Sequence, residues 1–208
     1  MQITDTVKHL IIIQVLLFLG TNYIEYLKEN YMHLALFSFQ NENFRFYQLI
    51  THMFMHAPMP NLSHIAFNMF GLYSFGSTLE SFWGGKRFLF FYITCGLVAA
   101  LTNNLVNYYV FNDAMSTAVG ASGAIYGLLV AYGFMFPEAT LGIMFIPVPV
   151  KAKYFIPFIV GMDLFSGVTG YSLFGQGIAH FAHIGGAAAG LLLMLLWRNN
   201  KFEHNRWN

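Results

Sequence analysis

Four polar side chains lie inside stretches of sequence that are otherwise strongly apolar: His64, Asn68, Ser122 and His183. Polar groups are costly in apolar surroundings, so each of them is a candidate functional residue. Serine and histidine are the residue types of nucleophilic catalysis, in which a neutral imidazole takes the proton of the serine hydroxyl. Together the four residues indicate a hydrolytic site, provided that the fold brings them together.

Ser122 is surrounded by small residues in the run Gly120-Ala121-Ser122-Gly123. Small neighbours leave the hydroxyl uncovered. A serine at a helix start also lies beside free backbone N–H groups, which favour developing negative charge. Both features suit a nucleophile whose transition state carries an oxyanion. The same small residues are also typical of a packing surface between membrane helices, so this segment alone does not decide between the two interpretations.

His183 shares a helix face with Gly186 and Gly190, which follow it by three and seven positions. Such a glycine stripe lets a neighbouring helix pack closely. If that neighbour is the segment with Gly123 and Gly127, also four apart, the histidine comes near the serine and can act as its general base. The alternative is a histidine that bonds a carbonyl oxygen inside a helix bundle.

His64 and Asn68 are four positions apart, so they share one helix face. Both side chains can donate hydrogen bonds. Near Ser122 they would hold an oxyanion together with the backbone N–H of the serine. The alternative is a hydrogen-bond clamp between helices.

The composition places these residues in a membrane protein. Of 208 residues, 57% are hydrophobic and 9% are charged, whereas soluble domains have about 25% charged residues. This excludes an ordinary soluble enzyme, a disordered chain and a nucleic-acid-binding protein, since the last needs a basic surface. The single Cys95 excludes a disulfide framework and a thiolate metal cluster. We expect one membrane domain over residues 1–208, in contact with the lipid bilayer and without a nucleic-acid partner.

Six apolar segments predict transmembrane helices, each of which needs about 20 residues unless it is partly shielded from lipid. The segments are approximately residues 10–27, 62–82, 88–108, 122–136, 152–165 and 179–197. The outer loop 28–61 joins the first two. The fold class that we expect is therefore an all-α polytopic bundle of six helices.

The basic residues predict the orientation of this bundle, because cytoplasmic loops are rich in Lys and Arg. With both termini in the cytoplasm, only Lys28 and Arg45 of the 10 basic residues lie outside. The other eight lie inside: Lys8, Lys86, Arg87, Lys151, Lys153, Arg198, Lys201 and Arg206. Short tails without targeting extensions favour a bacterial inner (plasma) membrane, with the site open to the periplasmic side.

The motifs in combination resemble those of the rhomboid intramembrane serine proteases, most like the six-helix bacterial form. The resemblance covers about residues 47–197 and follows the family's order. Three motifs carry it: His64-x-x-x-Asn68, Gly120-x-Ser122-Gly123 and Ala182-His183-x-x-Gly186-x-x-x-Gly190.

The resemblance implies a role for each polar residue. Ser122 would be the nucleophile and His183 the general base of a two-residue dyad. His64, Asn68 and the backbone N–H of Ser122 would form the oxyanion hole. Tyr126 would stack against the imidazole ring of His183.

Further roles are implied around this dyad. Phe67 would line the site near the substrate entrance. The fifth helix and the loop before Ile178 would act as a gate and cap. The sequence positions no acidic residue to orient His183, and Asp163 on that helix is the nearest candidate. The simpler expectation is a dyad, with Asp163 as a structural or gating residue.

The chain departs from the family in its first outer loop, where many members have a Trp-Arg pair. Here the corresponding residues are Tyr47-Gln48, with Arg45 nearby. The departure affects details of the loop and not the chemistry. The third segment carries Asn103, Asn104 and Asn107, for which polar packing is the default interpretation.

Water must reach a hydrolytic site that lies on membrane helices. Polar residues cluster at the outer ends of the second, fourth and sixth segments, and we expect them to line a wet cavity. They are His52, His56, Ser63, His64, Ser116, Thr117, Gln176 and His180.

The resulting hypothesis is a serine endopeptidase that cleaves transmembrane segments of other membrane proteins, without a cofactor, a metal or an obligate partner. Substrates would have to unwind locally, and a small residue before the cut is expected because Gly and Ala crowd the serine. Two alternatives stay open: a non-catalytic membrane binding protein of the same fold, or a proton- or metal-coupled transporter. The transporter would use His52, His56, His64, His180 and His183.

Overall fold

The computed structural model describes residues 2–143, 146–171 and 179–199, and this part of the chain is mostly helical. In chain order the helices are α1 (Asp5–Tyr23), α2 (Glu25–Glu29), α3 (Tyr31–Leu34), α4 (Gln48–Thr51), α5 (Leu62–Gly71), α6 (Ser77–Trp83), α7 (Gly85–Val106), α8 (Ser122–Met135), α9 (Ala152–Thr169) and α10 (His180–Asn199). The π-helical segment Leu72–Gly76 makes one continuous helix of α5 and α6, and the segment Asn107–Phe111 extends α7.

In the described part of the chain, two separate pairs of short strands lie in the loops between the helices. Strands β1 (Leu36–Phe37) and β2 (Thr117–Ala118) pair antiparallel, which ties the outer loop to the residues just before α8. Strands β3 (Thr140–Ile143) and β4 (Ile146–Lys151) form a second antiparallel pair between α8 and α9.

Each predicted segment is helical, and the largest shift is at α1, which begins five residues earlier than expected. The carboxylate of Glu80 on α6 accepts hydrogen bonds from the backbone N–H groups of Thr6 and Val7, both at 2.9 Å. These donors have no partner within their own helix, so the carboxylate allows α1 to start at Asp5. The helix ends at Tyr23 because Ile24 is extended.

Among the described residues, three helices are long and apolar enough to cross a membrane: Asp5–Tyr23, Gly85–Phe111 and His180–Arg198. Ser122–Met135 is apolar but shorter. The remaining two predicted spans are helices that carry polar residues such as Glu80 and Asp163. The chain is therefore consistent with an all-α membrane protein, while the six spans and the side on which the termini lie stay predictions.

The buried side chain of Gln48 organises the outer loop at the position where the family often has Trp-Arg. Its Oε1 accepts the Arg45 N–H at 3.1 Å. Its Nε2 donates to the carbonyl oxygens of His33 at 3.2 Å and Asn43 at 3.0 Å. One amide side chain thus joins three parts of the loop.

Two of the asparagines on the third predicted span bond neighbouring segments: Asn104 holds this loop, and Asn107 holds the segment before α8. Asn104 Oδ1 accepts the Phe39 N–H at 2.9 Å, and Asn107 Nδ2 donates to Ser116 Oγ at 2.8 Å. Asn103 is buried on the same helix. Polar packing therefore accounts for Asn104 and Asn107.

Helix α8 packs against both α7 and α10, and its contact with α10 is made through glycine. A Cβ added at Gly186 would overlap the backbone carbonyl of Gly123, and one added at Gly190 would lie 2.6 Å from the Gly127 oxygen. Any side chain at these positions would push the two helices apart. The neighbour of the glycine stripe on α10 is thus the helix with Gly123 and Gly127, which was the condition for bringing His183 near Ser122.

Gly186→Ala should lower the stability of the chain by about 1–3 kcal/mol, the usual cost of overpacking a tight contact. Thermal unfolding in detergent measures this change. Gly161→Ala on α9 is the matched control, because a Cβ there meets nothing within 4 Å. An equal loss of stability in both variants would show that the glycine contact is not what limits the approach of α8 to α10.

Candidate active site

Ser122 is the first residue of α8, and the turn before it requires a glycine. Gly120 has φ +122°, which side chains with a Cβ rarely adopt. Its N–H donates to the His52 carbonyl at 2.9 Å, which fixes the turn against the outer loop. The serine hydroxyl thus lies at a helix N-terminus, beside N–H groups without intrahelical partners.

The side chains of Ser122 and His183 meet between α8 and α10. The Ser122 Oγ is 2.7 Å from the His183 Nε2, which is hydrogen-bond distance. The ring of Tyr126, one turn after the serine, stacks on the imidazole with centroids 4.2 Å apart and planes 11° from parallel. The imidazole is therefore held both at its edge and on its face.

Asp163 on α9 contacts the other nitrogen of the same imidazole, which differs from the structural or gating role expected for it. His183 Nδ1 is 2.9 Å from Asp163 Oδ2. The second carboxylate oxygen bonds His180 Nδ1. The only sequence signal for this role is an acidic residue inside an apolar segment, which names no partner.

The carboxylate decides which nitrogen of His183 carries the proton. A carboxylate accepts hydrogen bonds, so Nδ1 carries the hydrogen and donates it to Asp163. The neutral ring then presents its Nε2 lone pair to the Ser122 hydroxyl, and this assignment follows from the hydrogen-bond network. The arrangement of serine, histidine and aspartate is that of a general base aimed at a nucleophile.

The Nε2–H group of His64 points into the space beside Ser122. Its Nδ1 accepts the Ala57 N–H at 3.1 Å, so its hydrogen is on Nε2. A Cβ built on Gly120 would lie 2.8 Å from His64 Nε2 and 3.8 Å from Ser122 Oγ. Only glycine at position 120 leaves this space open to a third group.

Asn68 and Phe67 are placed differently from the other predicted residues. The Asn68 Nδ2 donates to the His64 carbonyl at 2.7 Å, and its buried Oδ1 has no hydrogen-bond partner. Its amide therefore bonds its own helix and not Ser122. Phe67 is 59% exposed on the outside of the bundle. The loop before Ile178, with Gln176, lies outside the described residues.

A small cavity of about 20 Å³ lies against Ser122, with room for about one water molecule. Small residues form much of its wall, including Gly96, Ala99, Ala124 and Ala182. It lies between α7, α8 and α10, and residues of the outer loop such as His52 complete its wall. Any group that enters beside the serine from this side must be small.

His52 and His56 were expected to line a wet cavity, and both are buried, with 5% and 1% of their surface exposed. His52 does line the small cavity beside Ser122, whereas His56 is not part of its wall. The His52 Nδ1 bonds the Gln48 carbonyl at 2.8 Å. Burial lowers the pKa of His52 to about 4, and burial with repulsion from His64 lowers the pKa of His56 to about 3. Both stay neutral near pH 7, so they are poor proton carriers for a transporter.

The five histidines proposed for a transporter do not form one ligand set. Within the described ranges, the group with metal-ligand spacing is Asp163, His180 and His183. His56 instead packs against His64, with ring centroids 5.4 Å apart.

The fold and the site define a helical membrane protein with a serine–histidine–aspartate arrangement inside its bundle. A sequence profile described as the Rhomboid domain matches residues 43–200, and the chain belongs to this family.

The curated relatives include the presenilin-associated rhomboid-like protein, mitochondrial, of Mus musculus, which is 32% identical over 68% of this chain and 37% of its own length. RHOMBOID-like protein 12, mitochondrial, of Arabidopsis thaliana is 29% identical over 76% of this chain and 48% of its own. Rhomboid protein 1, mitochondrial, of Saccharomyces cerevisiae is 27% identical over 62% of this chain and 36% of its own length. The chain thus spans less than half the length of these relatives.

The prediction of a bacterial plasma membrane with a periplasmic opening is wrong, because these relatives are named as mitochondrial proteins. Tail length carries no information about the compartment, since the chain matches only part of each longer relative.

Gly120→Ala should slow the reaction of Ser122 with a fluorophosphonate probe, because the added Cβ displaces the His64 ring. It should also cost about 1–3 kcal/mol of stability from backbone strain. Gly170→Ala is the matched control, since its φ is +73° but a Cβ there meets nothing within 4 Å. If the control slows labelling as much as Gly120→Ala does, strain and not the His64 contact controls the serine.

Proposed function

We propose that the chain is an intramembrane serine endopeptidase that cleaves transmembrane segments of other membrane proteins. One observation carries the proposal: Ser122 Oγ is 2.7 Å from His183 Nε2, while Nδ1 of the same ring is 2.9 Å from Asp163. Membership of the rhomboid family supports it further. The proposed topology is six spans, with α5 and α6 together as the second and α9 as the fifth.

The chemistry begins at the serine. His183 Nε2 takes the hydroxyl proton as Ser122 Oγ attacks the scissile carbonyl carbon. The carbonyl oxygen becomes an oxyanion, which the Ser122 N–H and the His64 Nε2–H can stabilise beside the α8 N-terminus. The protonated imidazole then gives its proton to the leaving amine. Water hydrolyses the acyl-enzyme through the same base.

Asp163 would act through His183 and not on the substrate. Its carboxylate accepts the Nδ1 proton, which keeps Nε2 free to act as a base and stabilises the imidazolium that forms. The proposal therefore replaces the dyad by three residues. Asn68 Nδ2 uses one of its two hydrogens for the His64 carbonyl, so its second N–H would be the one that contributes to the oxyanion hole.

The surroundings of Ser122 support substrates of a particular kind. A helical peptide hides its carbonyl groups in backbone hydrogen bonds, so a segment that unwinds readily, with Gly, Pro or polar residues, can reach the serine. The cavity of about 20 Å³ beside the hydroxyl, walled by Gly and Ala, favours a small side chain next to the cut.

Ser122→Ala should abolish cleavage of a single-span test substrate in detergent, with a loss of at least about 10³-fold, and His183→Ala should do the same. Each variant should unfold at a temperature close to that of the unaltered chain. Serine-directed fluorophosphonate labelling should disappear in Ser122→Ala. Ser122-independent cleavage would refute the proposal, and a chain that neither cleaves nor labels would be a non-catalytic binding protein.

Asp163→Asn should lower kcat by about 10²–10⁴-fold with little change in KM, because an amide can donate to Nδ1 and so favours the wrong tautomer of His183. Steady-state kinetics on the same substrate measure both constants. Asp163→Glu is the matched variant, since it keeps a carboxylate and should recover part of kcat. A kcat unchanged in Asp163→Asn would return the mechanism to a dyad.

A further inference from the structure

We propose that Asp163, His180 and His183 form a site for a divalent metal ion such as Zn²⁺, and that the bound metal inhibits the reaction at Ser122. The binding part of this inference depends only on the three side chains. The inhibitory part rests on the proposed function, because it concerns the same imidazole.

The three side chains converge from two helices. His180 and His183 are three residues apart on α10, so they lie on one face, and Asp163 approaches from α9. One ligand atom from each residue lies within 4.8 Å of the others. Zn²⁺ binds nitrogen and oxygen at about 2.0–2.2 Å, which separates tetrahedral ligand atoms by about 3.5 Å. Side-chain shifts of about an ångström would therefore admit the ion.

The ligand chemistry also suits such an ion. Two imidazoles and a carboxylate are the ligands of many three-residue zinc sites that leave a fourth position open. The side chains of His180, Asp163 and His183 are 12%, 8% and 11% exposed. Water and ions can thus reach them, while their burial restricts the geometry.

Metal on Nδ1 of His183 would change the proton at the other end of the ring. Without metal, Nδ1 carries the hydrogen that the Asp163 carboxylate accepts. A neutral imidazole that binds metal through Nδ1 carries its hydrogen on Nε2, so the proton moves within the ring and none is released. Nε2 would then donate to Ser122 Oγ, 2.7 Å away. The ring could no longer take the serine proton.

His180 gives this site its second nitrogen. In the proposed hydrolysis it has no proton-transfer role: it bonds the far oxygen of the Asp163 carboxylate, and its ring lies edge-on to that of His183. With a non-ligating side chain there, the carboxylate and His183 would offer only two ligands. Position 180 therefore distinguishes metal binding from hydrolysis better than the other two positions do.

The binding test uses the full chain with Ser122→Ala, purified in detergent with a tag that contains no histidine. Titration with Co²⁺ should give visible absorption bands of a tetrahedral or five-coordinate complex, at one ion per chain, and Zn²⁺ should displace it. Adding His180→Gln or Asp163→Asn should weaken binding at least about tenfold. His33→Gln removes an exposed histidine of α3 as the matched control and should change nothing. No saturable binding, or equal binding in all variants, overturns the site.

The inhibition test uses the active chain and the single-span substrate. Zn²⁺ should stop cleavage and EDTA should restore it. His180→Gln should require at least about tenfold more Zn²⁺, measured against its own rate without metal. Inhibition that is unchanged in His180→Gln would overturn the inhibitory part of this inference. If the unaltered chain cleaves nothing, the proposed function fails, but the cobalt titration still decides whether the site exists.

Discussion

The contact of backbone on backbone between α8 and α10 is the constraint on which the candidate site depends. At Gly186 and Gly190 the facing helix occupies the volume that a Cβ would need. In a lipid environment helices gain little from hydrophobic association, so this close packing is a main source of stability. It also sets the separation of the two helices at a value that lets Ser122 and His183 form a hydrogen bond.

A chain of polar groups crosses three helices inside this packed bundle. Ser122 on α8 bonds His183 on α10, which bonds Asp163 on α9, and the carboxylate also bonds His180. A buried carboxylate without such partners would be costly, and low-dielectric surroundings strengthen each bond that it makes. The network thus gives α9 a specific place beside the other two helices. The same network offers ligands for a metal and a base for hydrolysis, which is why the two proposals compete for one imidazole.

The outer loop supports the site from the other side. Gln48 joins the parts of this loop, and Asn104 and Asn107 tie the loop and the segment before α8 to the helix bundle. The His52 carbonyl then holds the N–H of Gly120, whose backbone only glycine readily adopts. The position of the nucleophile is therefore set by residues far from it in the sequence.

The sequence by itself determined the membrane environment, the helical segments and the four polar residues of interest, because composition and periodicity report directly on burial in lipid. It also gave each of two helices a glycine stripe, since a helix repeats its face every three to four residues, but it left open whether those two helices are neighbours. It named Asp163 only as the nearest acidic candidate and favoured a dyad without it, and it did not reveal the burial of His52 and His56. Those facts depend on how α9 and the outer loop pack against the bundle. Only the tertiary structure decided them, because contacts between distant segments leave no periodic signal in a single sequence.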